Sequence, residues 1–442
     1  MARPQLNNEE GTILLQPIKA QGSTARNESR RSMISASFNF INSIIGSGII
    51  GLPYALNQAG LPFGLLLLIV VGFITDYTII LLMKGGDLSG THSYQALVQC
   101  TFGLPGFLIL SALQFLYPFI AMISYNITTG DTLTKVFLRI PGVGPGHILA
   151  ERQFVTLAMT LLFTLPLSLY RNIERLGKVS FLSMVLTLTV LVIVIIRSAT
   201  LGPEIPATDD AWTFAKINAI QAVGVMSFAF ICHHNSFLIY GSLQEPTVCR
   251  WTRVTHVSVG SALVISAAFA VAGYATFTGY TQGDIFENYC RDDNLATFGR
   301  FCFAFSIITT FPLECFVTRE VLSRVMCNRE LSRVEHVAIT FLIVASCTAI
   351  SIAFDCLGVV LELNGALSAI PLIFILPCAC YLKLSPGRWF HSHKLMPSVL
   401  IGLGLFFMIT GLTMTGVSQQ DCSHGVEMFY CTDANASSPP GV

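Results

Sequence analysis

The chain has 442 residues, of which 53% are hydrophobic and only 11% are charged, and its formal net charge is zero. An average soluble domain carries about twice that share of charged residues. The composition therefore excludes a soluble protein, and the balanced charge gives no sign of a nucleic-acid-binding surface. The polar insertions reach only about twenty residues, which is too short to bury a separate core.

Apolar runs of about twenty residues have the length that a helix needs to cross a bilayer. Charged residues and Gly or Pro divide the chain into eleven such runs, so we predict an all-α polytopic membrane protein with about eleven transmembrane helices. The predicted spans are residues 33–58, 62–83, 106–129, 153–170, 179–197, 212–240, 254–280, 295–317, 336–354, 357–382 and 396–417. The short connection between the ninth and tenth spans leaves counts of ten and twelve open.

The orientation follows from Lys and Arg, because cytoplasmic loops of membrane proteins hold an excess of both. With the N-terminus inside, eighteen of the twenty-five Lys and Arg residues fall in cytoplasmic segments and five fall on the opposite side. We therefore predict a cytoplasmic tail (1–31), a transmembrane domain (32–417) and an extracellular or lumenal tail (418–442).

Two of the predicted spans contain residues that disfavour a continuous helix. Gly46, Ser47 and Gly48 lie in the middle of the first span, and each glycine weakens a helix by about 1 kcal/mol relative to alanine. The sixth span contains the polar run 232–235, which is costly in hydrocarbon unless it lines a cavity. Five helices separate the starts of the two spans, as in a five-plus-five inverted repeat with an added helix. The predicted repeats are 32–200 and 211–383, and the added helix is 396–417.

A break at Gly46-Ser47-Gly48 would expose backbone N–H groups at a positive half-helix end, which suits a carboxylate, while unwound carbonyls can accept from an ammonium group. Small residues also serve as close-packing contacts between membrane helices, and this alternative stays open for the same positions. His233 and His234 are likewise either packing residues or functional groups.

The eighth span carries three hydroxyl side chains on one face, because Ser306, Thr309 and Thr310 occupy positions i, i+3 and i+4. Hydroxyl oxygens are hard ligands that suit a small cation. Alternatively, such side chains bond back to their own helix and bend it. Asn42 in the first span is either an ion ligand or an interhelical hydrogen-bonding residue.

The segment Phe38-Asn39-Phe40-Ile41-Asn42-Ser43-Ile44-Ile45-Gly46-Ser47-Gly48-Ile49-Ile50-Gly51-Leu52-Pro53-Tyr54-Ala55 resembles the first-helix signature of the sodium-coupled neutral amino acid transporters, within the amino acid/auxin permease superfamily. The segment 228–233 and the run Thr309-Thr310-Phe311-Pro312, with Arg319 seven residues beyond the proline, are similar to the same family. The chain departs from the family at His234, where relatives often have proline.

This resemblance implies the leucine-transporter fold with alternating access and sodium-coupled symport of small neutral amino acids, without an enzymatic activity or a cofactor other than the coupling ion. It implies a sodium site shared by helices one and eight, with Asn42, Ile44, Ser306, Thr309 and Thr310 as its residues. The implied substrate-binding residues are Ile45, Gly46, Ser47, Gly48, Phe230 and His233.

Two alternative functions stay open at this point. Other members of the superfamily couple transport to protons, and His233, His234 and Asp76 could relay them. A membrane amino acid sensor with weak transport is the second alternative. The plasma membrane is the expected location, although residues 10–15 resemble an acidic dileucine sorting signal for endosomes or lysosomes. The oligomeric state does not follow from the sequence.

The C-terminal tail carries two candidate covalent features. Asn435-Ala436-Ser437 is a glycosylation sequon, whereas the sequon at Asn126 falls inside the third span. Cys290, Cys422 and Cys431 lie in polar segments and could be oxidised if these segments face outward. We predict a small disulfide loop between Cys422 and Cys431.

Overall fold

A computed structural model describes residues 33–144, 146–171, 174–327, 329, 331–387, 392–417 and 427–431. These residues form a helical bundle with no β-strand among them, which confirms the predicted all-α fold. The first half comprises α1 (Met33–Ile44), α2 (Leu52–Ala59), α3 (Leu61–Ser89), α4 (Tyr94–Phe137), α5 (Arg152–Met159), α6 (Leu165–Ser168) and α7 (Glu174–Thr200). The second half comprises α8 (Ala219–Phe230), α9 (His233–Ser242), α10 (Val248–Phe277), α11 (Ile285–Asn288), α12 (Asn294–Leu322), α13 (Arg333–Ala353), α14 (Leu357–Asn364), α15 (Leu376–Leu384) and α16 (Ser392–Val417).

Within the described ranges, nine helices are long and apolar enough to cross a membrane, or ten if α1 and α2 form one bent span. A π-helical turn joins α5 to α6, and the combined helix covers the fourth predicted span but is shorter than the others. A multi-pass membrane protein is therefore established, and the count of eleven stays a prediction. We call the end of the bundle where α2 ends and α8 begins the outer end, following the predicted orientation.

Two helix boundaries differ from the prediction for identifiable reasons. The sixth span was predicted to begin at residue 212, whereas α8 begins at Ala219. The preceding segment instead satisfies the end of α2, because the Lys216 N–H donates to the Ala59 carbonyl at 2.9 Å. Helix α4 begins at Tyr94, earlier than the third predicted span, and Gly103 kinks it with a φ of 70°.

The second half of the bundle contains a close helix crossing at two glycines. A side chain on Gly224 of α8 would meet the Glu362 carbonyl of α14 at 3.1 Å, and Gly365 has no room for one against the Gly224 backbone. Because neither residue has a Cβ, α8 and the tenth span approach each other backbone to backbone. This crossing fixes α8 against α14 near the outer end.

The C-terminal segment 427–431 folds onto the outer loop between α10 and α12. Cys431 forms a disulfide with Cys290, so the predicted Cys422–Cys431 bridge is wrong. The Tyr430 hydroxyl donates to the Asn288 carbonyl at 2.8 Å, which brings Cys431 beside Cys290. A cysteine forms only one such bond, and Cys422 and Asn435 both lie outside the described residues.

Asn126 is buried in α4, where its side-chain amide donates to the Thr348 hydroxyl at 3.1 Å. This burial agrees with excluding its sequon from glycosylation.

Candidate functional site

Both spans that contain helix-disfavouring residues are broken in the structure. Helix α1 ends at Ile44, and the chain continues through a 3-10 turn (Ser47–Gly51) into α2 with a bend of 52°. Helix α8 ends at Phe230, Ile231 adopts an extended conformation, and α9 begins at His233. The first and sixth spans therefore each consist of two half-helices, at matching positions of the two halves of the chain.

The two breaks face each other inside the bundle. The Asn235 amide of α9 donates to the Ser43 hydroxyl of α1 at 2.8 Å. On the other side of the breaks, Gly48 packs on the end of α8, where a Cβ would lie 2.8 Å from the Ala229 Cα. The first N–H groups of a half-helix lack partners within it, so this junction offers donors to a bound anion.

The two glycines of the first break have different surroundings. A Cβ at Gly46 would have no heavy atom within 4 Å, whereas a Cβ at Gly48 would collide with the α8 backbone. The close-packing interpretation therefore holds for Gly48. Gly46 borders open space that a ligand can occupy, and the side chain of Ser47 lies outside the described part of the chain.

The predicted substrate residues around the second break are buried. Phe230 and Ile45 are core residues, exposed by 0% and 3%. His233 is fully buried, and its Nε2 lies 3.0 Å from the Thr78 hydroxyl of α3, which ties the start of α9 to that helix. Among the described residues, its Nδ1 has no hydrogen-bond partner. His233 thus holds the start of α9 against α3 through Nε2, and its Nδ1 is available to a polar group of a ligand.

The hydroxyl face of α12 meets a second hydroxyl face on α7. The Ser306 hydroxyl lies 2.6 Å from that of Ser183 and 3.3 Å from that of Thr187. The Thr310 hydroxyl lies 3.2 Å from that of Ser183. Four hydroxyl oxygens therefore gather at one point, which we call the hydroxyl cluster (Ser183, Thr187, Ser306 and Thr310). Such a set of neutral, hard oxygen ligands fits a small monovalent cation.

Thr309 differs from its neighbours in the predicted sodium site. Its hydroxyl donates back to the Phe305 and Ser306 carbonyls at 3.0 and 2.8 Å. The back-bonding alternative therefore describes Thr309, and it describes Thr310 in part, because the Thr310 hydroxyl donates to the Ser306 carbonyl at 2.8 Å and also lies 3.2 Å from the Ser183 hydroxyl. The Ser306 hydroxyl reaches across to α7.

Asn42 and Ile44 lie on α1, which packs mainly against α10 and α9. The hydrogen bonds of Thr310 go to Ser183 and Ser306, not to Asn42. Helix α1 nevertheless reaches α7 close by, since the Phe38 and Phe181 rings lie 5.8 Å apart. Of the predicted sodium-site residues, Ser306 and Thr310 of α12 therefore contact α7. Asn42 and Ile44 lie on the neighbouring helix α1.

Sequence reasoning missed two further residues at the second break. The Tyr117 ring of α4 lies 5.4 Å from the His234 ring and 5.8 Å from the Phe228 ring. Glu314 of α12 is close enough to Tyr117 for an electrostatic interaction. A carboxyl group inside an apolar span is itself a signal of function, and Glu314 could have been found in this way.

Broken helices that meet at matching positions of the two halves are the architecture of transporters with the leucine-transporter fold. The chain belongs to the transmembrane amino acid transporter protein family, whose sequence profile matches residues 29–418.

Named relatives agree with this assignment. The chain is 69% identical over 408 residues to a Danio rerio protein named "Putative sodium-coupled neutral amino acid transporter 11", covering 92% of this chain and 91% of the relative. A Bos taurus protein of the same name is 57% identical over 434 residues, covering 98% and 92%. The vacuolar amino acid transporter 2 of Saccharomyces cerevisiae is 32% identical over 416 residues, covering 90% and 86%.

Solved structures share the fold of this chain. A manganese transporter of Eremococcus coleocola, crystallised with an aromatic bis-isothiourea compound, superposes with a TM-score of 0.57 at 13% identity, covering 88% of each chain. MhsT in complex with L-phenylalanine superposes with a TM-score of 0.53 at 13% identity, covering 86% of this chain and 99% of MhsT. The family to which the chain belongs is one of transporters and not of enzymes.

Proposed function

We propose that this protein carries neutral amino acids across a membrane together with sodium, by alternating access. The observation that carries the proposal is the hydroxyl cluster beside the two facing breaks. A free amino acid needs donors for its carboxylate and acceptors for its ammonium group, and broken helices offer both. The names of the Danio rerio and Bos taurus relatives support sodium as the coupling ion and neutral amino acids as the substrates.

The substrate would bind at the break beside Gly46, where the backbone borders open space. Its carboxylate would accept from the first N–H groups of the following half-helix, and carbonyls left at the end of α8 would accept from its ammonium group. The Tyr117 and Phe228 rings lie 5.8 Å apart next to the second break, and they would contact the substrate side chain.

Sodium would bind at the hydroxyl cluster, with Asn42 and Ile44 contributing from α1 once that helix moves towards α7. In this scheme the ion links α1 to α7 and α12. Sodium would thereby favour one arrangement of the broken helices, since a ligand shifts a conformational equilibrium only by binding one state more tightly than the other. Coupling to the substrate follows, because the same half-helices hold the amino acid.

The plasma membrane is the proposed location, with Asn435 as the glycosylated residue of an outward-facing tail. The yeast relative named as vacuolar supports the endosomal or lysosomal alternative. Surface biotinylation with a glycosidase digest tests both points. A glycan shift that persists in Asn435→Gln would contradict the acceptor assignment.

Uptake of a labelled amino-acid panel into cells tests the function, with sodium replaced by choline at constant pH. We expect uptake of one or more neutral amino acids that falls to background in choline. Uptake that persists in choline and follows a pH gradient would favour proton coupling instead. If the protein is at the surface and moves no amino acid in either medium, the proposal is wrong and the sensor alternative gains support.

A further inference from the structure

A carboxyl group lies on the side of α12 that faces the interior of the bundle. Glu314 is about 12 Å along the helix from its C-terminal end at Leu322. The exposed side chains of Phe301 and Phe305 mark the outward face of α12. Glu314 follows Phe305 by nine residues, which is about two and a half helical turns, so its side chain leaves the opposite face. A carboxyl group in this setting marks an ion or substrate pathway.

Glu314 has no positively charged partner among the described residues. The nearest arginine along α12 is Arg319, which is engaged elsewhere, because it donates to the Ser168 carbonyl at 3.0 Å and to the Thr340 hydroxyl at 2.8 Å. The Glu314 side chain is partly exposed although it points into the bundle, so it borders an internal space. Tyr117, beside the second break, is close enough to Glu314 for an electrostatic interaction. The carboxyl group therefore faces the interior region that contains the breaks.

Glu314 also shares its helix face with part of the hydroxyl cluster. Ser306, Thr310 and Glu314 follow one another at intervals of four residues, and α12 stays helical through Pro312 between them. Side chains at this spacing stack along one side of a helix, one turn apart. The hydroxyl cluster itself offers only neutral oxygen atoms. An ion held there thus gains no opposite charge from its hydroxyl ligands, whereas Glu314 offers one a single turn away.

The charges of the proposed load fit this arrangement. A neutral amino acid carries one positive and one negative charge, and a sodium ion adds one positive charge. A loaded site without an acidic side chain would therefore hold an uncompensated positive charge inside the bundle, where such a charge is costly. An ionised Glu314 brings the sum to zero. The carboxylate gains as well, because it is equally costly in the interior without a cation.

We propose that Glu314 supplies the counter-charge for the coupling cation held at the hydroxyl cluster. The inference rests on the sodium coupling of the proposed function and adds an acidic residue to its ion site, whichever neutral amino acid is carried. Opposite unit charges about one helical turn apart, roughly 6 Å, attract strongly enough at an effective dielectric constant of about 20 to change the ion affinity at least about tenfold. Neutralising Glu314 should weaken sodium binding by this factor without removing any hydroxyl ligand.

Thermal unfolding of the purified full chain measures sodium binding without requiring transport. An ion that binds the folded protein raises its melting temperature, and choline chloride keeps the ionic strength constant. Glu314→Gln keeps the size of the side chain and removes its charge. We expect this variant to need at least about tenfold more sodium than the unaltered protein for the same rise in melting temperature.

The control removes a different carboxyl group from the same helix. Glu320 is paired with Arg324 at 3.1 Å on the surface of the protein, so Glu320→Gln should leave the sodium requirement unchanged. Glu314→Asp keeps the charge but withdraws the carboxyl group by one methylene, so it should raise the sodium requirement less than Glu314→Gln does. This variant keeps the test decisive if Glu314→Gln does not fold. The sodium concentration for half-maximal uptake should rise in the same order.

A sodium requirement that stays unchanged in Glu314→Gln would overturn the proposal, as would an unchanged requirement in Glu314→Asp if only that variant folds. If Glu314→Gln instead abolishes inhibition by amino acids with a cationic side chain and keeps the sodium requirement, the carboxylate binds substrate and the proposal is wrong. Absence of any sodium effect on the unaltered protein would refute both this inference and sodium coupling. A raised sodium requirement in a protein that moves no neutral amino acid would refute only the proposed substrate.

Discussion

The two glycines of the first break form a matched pair that tests the binding site against mere packing. Each residue gains one methyl group when it is replaced by alanine. At Gly46 the added Cβ enters open space, whereas at Gly48 it would lie 2.8 Å from the Ala229 Cα and 3.2 Å from the Phe228 ring. The same chemical change therefore has two different structural consequences.

The magnitudes follow from these contacts. Overpacking a filled site costs about 1–3 kcal/mol, and the backbone of α8 cannot move aside as a flexible side chain would, so Gly48→Ala should lose stability in this range. Gly46→Ala should change stability by less than about 1 kcal/mol, since the unfolded chain loses conformational freedom and no contact is disturbed. We expect Gly46→Ala to express normally and to lose uptake, because its methyl group projects into the space assigned to the substrate.

Surface expression, thermal unfolding of the purified protein and uptake separate the two variants. Gly48→Ala should lower expression, melting temperature and uptake together. Gly46→Ala should lower uptake alone, and binding of an amino acid should no longer raise its melting temperature. A well-expressed Gly46→Ala protein with normal uptake would remove the carboxylate site from this break, and an unaltered melting temperature in Gly48→Ala would refute the packing argument.

Three further predictions concern the hydroxyl cluster and the outer end of the bundle. If each ligand contributes about 1.4 kcal/mol to sodium binding, Ser183→Ala should raise the sodium concentration for half-maximal uptake about tenfold. The control is Thr189→Ala, which should leave this concentration unchanged because the Thr189 hydroxyl bonds back to its own helix. Cys290→Ser and Cys431→Ser should lower the melting temperature equally, and the double variant should lower it no further, because each of these variants removes the same disulfide bond. Burial raises the pKa of Asp284 in the outer loop to about 7, so the unfolding free energy should fall as pH rises from about 4 towards 7. Asp284→Asn should flatten that slope in thermal unfolding; an unchanged slope would contradict the assignment.

Local sequence patterns identified the features that depend on a single segment. Gly46 and His233 marked the two broken spans, because glycine and polar side chains are both unfavourable in a membrane helix. The spacing of Ser306 and Thr310 identified the hydroxyl face of α12. These signals need only the geometry of one helix, and the structure contains all of them.

Features that depend on contacts between distant segments did not follow from the sequence. Ser183 also carries a hydroxyl at a regular spacing from Thr187, but only the packing of α7 on α12 makes these residues part of the cluster. The two glycines look alike in the chain, and Ala229 of a distant helix separates their roles. Cys431 pairs with Cys290 and not with Cys422 as predicted, because the C-terminal segment folds back over the outer loop.

Transport against a gradient by the purified protein is the most direct test of sodium-coupled amino acid transport. The full chain is reconstituted into liposomes that contain potassium, and labelled neutral amino acid is added outside with either sodium or choline. The account predicts that sodium drives accumulation above the outside concentration, and that an ionophore that collapses the sodium gradient releases the accumulated amino acid. Equal, non-concentrative uptake in sodium and choline would contradict sodium coupling, and the absence of uptake of every neutral amino acid would contradict the proposed substrate class.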